Sequence, residues 1–247
     1  MASAAGLACG GGDDGDSSTG PSAEALAKVR ASDYARAVNL HASDVPYFEP
    51  IPDDEEEDPE EARKHDRELM KCVGVEGDPE PLAEVKSPEF GTDSPGELLR
   101  VASTVEVGAD AERAMRELRL IRSRRAEHCL QRVYASAIEE EESSTAGVSD
   151  VSASRFRFPA ADIEDGFAYR FAASVTVHRS TSELSAYRPA AEPDASVTVR
   201  IYVDIIGFVA GPASVSLTAT GVPTPVSRTL ERNLLRVLHE RATERAP

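Results

Sequence analysis

Apolar and polar residues alternate with period two from Leu98 to Val107. Leu99, Val101, Ser103, Val105 and Val107 fall on one side, which predicts a strand with one buried face. Phe167, Tyr169, Phe171, Ala173, Val175 and Val177 repeat the pattern, as do Val197, Val199, Ile201, Val203 and Ile205. Val215, Leu217 and Ala219 predict a further strand, Ser152 to Phe158 a shorter one, and Gly207 to Pro212 a hairpin connection. One apolar face per strand favours an antiparallel meander over a doubly buried parallel sheet.

Elsewhere the period is helical. From Thr224 to Ala242 the residues Val226, Leu230, Leu234, Val237 and Leu238 form an apolar stripe, with Pro225 suited to the first turn. Ser22 to Val38 reads as a helix that Ser22 caps, ended by Asp44-Val45-Pro46. Glu61 to Lys71 predicts a short helix leading into Cys72, and Ser87-Pro88-Glu89-Phe90-Gly91 an irregular connection. Asp110 starts a helix with Ala111, Met115 and Leu118 on one side; the next carries Ala126, Cys129, Leu130, Val133 and Ala137, before a loop from Glu139 to Ser149. The expectation is an α+β two-layer sandwich: a mainly antiparallel sheet of about five strands, helices packed on one face, and a long C-terminal amphipathic helix closing the core.

Composition limits what such a domain can meet. At 247 residues and 40% hydrophobic content the chain can bury a sizeable core, read as one domain over residues 23–247 behind a head of residues 1–22. A net charge of −17 without a dominant basic block argues against nucleic acid, and equally against adsorption to anionic lipid. The densest acid run, Asp53 to Glu61, reads as a solvated loop.

The head carries its own chemistry. Gly10 to Ser22 is rich in Gly, Asp and Ser, has too few apolar groups to fold, and would reach about 20 Å as a random coil. Met1 to Ala8 lacks a basic segment and a full apolar stretch, and reads as the tail of a secretory signal peptide ending at Cys9. Ala8 suits a lipobox, while Gly6 stands where such boxes usually hold Leu and Leu7 lies one place too close. Cys9 is therefore the expected lipidation site, with the membrane as partner through that anchor and an extracytoplasmic location. The alternative is a cytoplasmic protein whose N-terminus happens to contain a cysteine.

Further features occur in a recognisable order. They are Leu40 with Ser43-Asp44-Val45-Pro46, Cys72-Val73-Gly74, Ser87-Pro88-Glu89-Phe90, Ser103-Thr104-Val105-Glu106-Val107 with Ala114, Cys129-Leu130, Tyr202-Val203-Asp204 and the closing helix. In this the chain resembles actinobacterial cell-envelope lipoproteins of unknown function. More distantly it is similar to the extracellular sensor domains of mycobacterial receptor kinases. The resemblance implies that Cys72 and Cys129 pair, and that the domain binds a small-molecule, lipid or protein ligand. Closing a loop of roughly sixty residues would add about 4 kcal/mol in an oxidising compartment. Two separately buried thiols remain the other reading.

Catalytic and metal patterns are not found. Gly10-Gly11-Gly12-Asp13-Asp14-Gly15 matches a dinucleotide fingerprint in letters alone, since no strand precedes it and its aspartates would repel a pyrophosphate. A calcium loop from Asp14 fails at Thr19 and Ala25. His239-Glu240 lacks the second His of a zinc-protease helix, Thr243 standing in its place, and His128 points away from its neighbour Cys129 on a helix. The expectation is a non-catalytic binding or sensing domain without cofactor or metal.

Overall fold

A computed structural model describes residues 22–52, 59–75, 80–94, 97–141, 146–178 and 196–245. In chain order the elements are α1 (Ala23–Val38), β1 (Glu49–Ile51), α2 (Pro59–Val73), β2 (Ala83–Lys86), β3 (Glu89–Ser94) and β4 (Glu97–Val107). Then come α3 (Ala111–Ile121), α4 (Arg124–Glu141), β5 (Ala146–Arg155), β6 (Gly166–His178), β7 (Ser196–Ala210), β8 (Ala213–Val222) and α5 (Arg228–Glu244). A short 3-10 turn at Ala42–Asp44 follows α1.

The class is α+β and the sheet is antiparallel throughout, but it has eight strands instead of about five. Its order is β1-β3-β4-β8-β7-β6-β5, with β2 paired to the far half of β4. The additional strands are β1, β2 and β3, the last of which begins at Glu89, inside the 87–91 stretch expected to be irregular. They are short, and β3 reads Glu-Phe-Gly-Thr-Asp-Ser with no repeating apolar period. Their ladder is completed by β4, not by local propensity. Gly91 allows the close approach there: a Cβ would stand 2.6 Å from Ile51 Cδ1 and 3.0 Å from the Leu99 carbonyl oxygen.

Helices stand on both faces, which corrects the expected two-layer arrangement. On one face α1 and α5 pack through Tyr34, Ala35, Val38, Leu234, Leu235 and Leu238 on Val101, Val105, Val215, Leu217, Ile206 and Phe208. On the other, Ile121, Leu130 and Tyr134 of α3 and α4 cover Tyr169, Phe171, Val203 and Ile205. The Tyr134 and Phe171 rings stack at 3.8 Å, and the Tyr169 hydroxyl donates to the Ile121 carbonyl at 2.6 Å. Central β6 and β7 are thus covered on both sides, and the supposedly polar set of β7 contains Asp204, Ile206 and Phe208, all fully buried.

Several boundaries also shift. Strand β7 runs on to Ala210 and turns at Gly211, whose φ is +59°. Gly207 is needed for a different reason, since a Cβ there would meet the Phe167 ring at 2.7 Å. Strand β5 starts inside the expected 139–149 loop and ends at Arg155, so Phe156 to Phe158 leave the ladder. Helix α5 begins later than Thr224, because Ser227 accepts a hydrogen bond from Leu230 N and makes the cap. Pro225 therefore precedes the helix, in a segment laid against Gly221.

Candidate functional site

Cys72 on α2 and Cys129 on α4 are joined in a disulfide, with Cα atoms 5.7 Å apart. Cys129 is buried with Val73 and Ala126, while Leu69, Met70 and Val75 pack around them. The bond fastens α2, which rests on α4, to the main body. Beside it a shallow groove of about 460 Å³ is lined by Glu68, Lys71, Arg132, Val133 and Ser136. Cys9 lies outside the described residues, as do Asp53 to Asp58; Pro59, Glu60 and Glu61 open α2 instead of ending a loop.

A cluster of charges lies under α5 that the sequence reading did not single out. Asp204 on β7 and Glu231 on α5 are both 0% exposed. Arg170 of β6 grips Asp204 with both ends of its fork, Nε donating to Oδ1 at 2.7 Å and Nη2 to Oδ2 at 2.6 Å. Arg228 Nη1 donates to Glu231 Oε2 at 2.8 Å and lies 3.7 Å from Asp204 Oδ2. The Phe156 ring sits beneath the Arg228 guanidinium at 3.4 Å and beside that of Arg170 at 5.7 Å.

Burial, followed by the hydrogen bond and charge of Asp204, pushes Glu231 up to about 8 against the opposing pull of Arg228. Its other oxygen, Oε1, is buried without a hydrogen-bond partner among the described residues. At neutral pH Glu231 therefore keeps its proton. Asp204 was missed because the period-two pattern assigned its side of β7 to solvent. The available signal was Ile206 and Phe208 on that same side.

The β5–β6 connection, residues 156–165, builds a corner beside this cluster. Ile163 N donates to the Ala160 carbonyl at 3.2 Å, Val209 N to the Asp165 carbonyl at 3.2 Å, and the Phe158 ring lies over Gly166. A cavity of about 440 Å³ opens there, walled by Arg122, Arg155, Arg157, Phe156, Phe158, Ile163 and Phe167 among others. Arg155 Nη1 donates to the Arg122 carbonyl at 2.9 Å, joining the end of β5 to the end of α3.

Among the described residues, no three of His, Cys, Asp and Glu group to hold a metal ion, and no helix is long and apolar enough to cross a membrane. Comparison with family models, curated proteins and solved structures finds no match to the chain.

Proposed function

We propose that this chain is the extracytoplasmic part of a cell-envelope lipoprotein, tethered through a lipid on Cys9, whose α+β domain binds a ligand instead of transforming it. The observation that carries the reading is the Cys72–Cys129 disulfide. Such a bond persists in an oxidising compartment and is reduced in cytosol, and here it joins α2 to α4 beside the packing of Leu69, Met70 and Val73. The Gly/Asp/Ser run after Cys9 supplies a spacer between anchor and domain. The concave corner at the end of β5 supports the binding role.

Intact-mass measurement on protein purified from its native host tests the location. The expected species carries diacylglycerol on Cys9 and lacks two hydrogens across Cys72 and Cys129. Three free thiols on a chain that keeps Met1 would instead favour a cytosolic interaction protein, and would end the lipoprotein reading.

A further inference from the structure

Arginine is unevenly used on this acidic chain. Two arginines that serve the fold are each paired bidentately with a carboxylate: Arg170 holds Asp204 through two bonds at 2.7 and 2.6 Å, and Arg241 holds Asp44 through two at 2.8 and 2.7 Å. The three at the β5–β6 corner are not. Among the described residues, Arg122 has one long ion pair, 3.9 Å to Asp165, Arg155 donates to the Arg122 carbonyl alone, and Arg157 is exposed and forms no ion pair. Each guanidinium offers several N–H donors in a planar fork, so most of this donor capacity faces the cavity or solvent.

Three cations gathered around one concavity repel each other, with Glu164 in the lining and Asp165, 3.9 Å from Arg122, as acidic neighbours. In a chain of net charge −17, acidic neighbours could readily have supplied more. The walls add a second property. Phe158 is seated on Gly166, Phe156 is fixed by Arg228, and Ile163 is buried, so the apolar lining is held in place before anything binds. A cavity of about 440 Å³ lies within the usual range for small-molecule sites.

We propose that this corner binds a small anion bearing an apolar or aromatic group, with its phosphate or carboxylate on Arg122, Arg155 and Arg157 and its apolar part against Phe158 and Ile163. The assignment rests on the ligand-binding reading above and gives that ligand its chemistry. It does not depend on the lipid anchor.

Calorimetric titration of the full, disulfide-bonded chain at low salt tests it, with phenyl phosphate and inorganic phosphate as probes. Phenyl phosphate is expected to bind, more tightly than inorganic phosphate, and more weakly as salt is added. Arg157→Glu, a change on an exposed loop residue that the fold tolerates, should weaken phenyl phosphate by about tenfold or more, the loss of a charge-assisted hydrogen bond. Arg36→Glu, at an exposed side chain of α1 that does not line the corner, should leave the affinity unchanged. Vesicles containing phosphatidylglycerol separate the sources. Sedimentation with wild type but not with Arg157→Glu assigns the anion to a lipid headgroup, and no sedimentation assigns it to a free molecule. The proposal is overturned if phenyl phosphate does not bind, if Arg157→Glu binds it equally well, or if inorganic phosphate binds as tightly. Any of these, on protein whose native mass shows the lipid and the disulfide, would leave the envelope assignment standing.

Discussion

Burial strips water from Glu231, and a carboxyl without water holds its proton. In the folded chain that proton is held up to about 8, whereas in the unfolded chain it leaves near the ordinary value of 4.5. Between those values the unfolded state has released a proton that the folded state retains, so raising the pH favours unfolding. Stability should fall across this window by at most a few kcal/mol and level off above it. Glu231→Gln keeps the volume and can still donate to Asp204, but does not titrate. Denaturant midpoints at pH 5 and pH 9 should therefore differ more in wild type than in Glu231→Gln; equal differences would show that the proton sits elsewhere. Arg170→Ala takes away the fork on Asp204 and should cost about 3–5 kcal/mol, because it leaves a fully buried carboxylate underpaired. None of this was legible in the sequence. A lone Asp among alternating Val and Ile looks like a solvent-facing residue until a helix is known to cover that side.

Elements with a strong local signal were read well, and those built by their neighbours were not. Asp110 accepts a hydrogen bond from Glu112 N and starts α3 where a cap was expected, and β4 follows its period to within a residue. Strands β1 and β3 carry no such signal and β2 only four alternating residues, so their register is dictated by β4 and by one another. Helix α5 shows both cases: its apolar stripe was plain, but its start depended on which Ser or Thr became the cap. Ser227→Ala should cost about 1 kcal/mol in chemical denaturation. For α2 the disulfide matters more than any cap. The bond closes a separation of 57 residues, and the double change Cys72→Ser, Cys129→Ser should lower stability by about 4 kcal/mol. Hydrogen exchange should show α2 losing protection before β4 or β8, whose backbone is paired on both sides. Simultaneous loss across the sheet would mean that α2 is integral to the core.

At the scale of the molecule, two buried carboxyls at opposite ends of α5 act in opposite senses. Asp44 receives both arms of Arg241, and the same guanidinium donates to the Asn39 carbonyl at 2.9 Å, tying the C-terminal end of α5 to the end of α1. Burial pushes the Asp44 carboxyl up, but the hydrogen bonds from Arg241 and the His41 backbone, with the charge of Arg241, bring it below its ordinary value of 3.8. The stability Asp44 contributes is therefore present above that value and lost as pH falls through its lower folded value. Glu231 removes stability on the other side, from about 4.5 upward. The net charge of −17 adds to the alkaline decline, since mutual repulsion of the acidic surface grows as pH rises above the sequence pI of about 4.7. The three effects place the stability maximum between about pH 4 and pH 5, more acidic than is usual for globular proteins. Thermal midpoints across pH 2 to 9 should trace that maximum. Asp44→Asn should flatten the acid limb alone and Glu231→Gln the alkaline limb, while added salt should raise the alkaline limb in every variant by screening the surface. A maximum near neutrality would mean that Glu231 ionises in the folded chain, and that Arg170 and Arg228 together outweigh its burial.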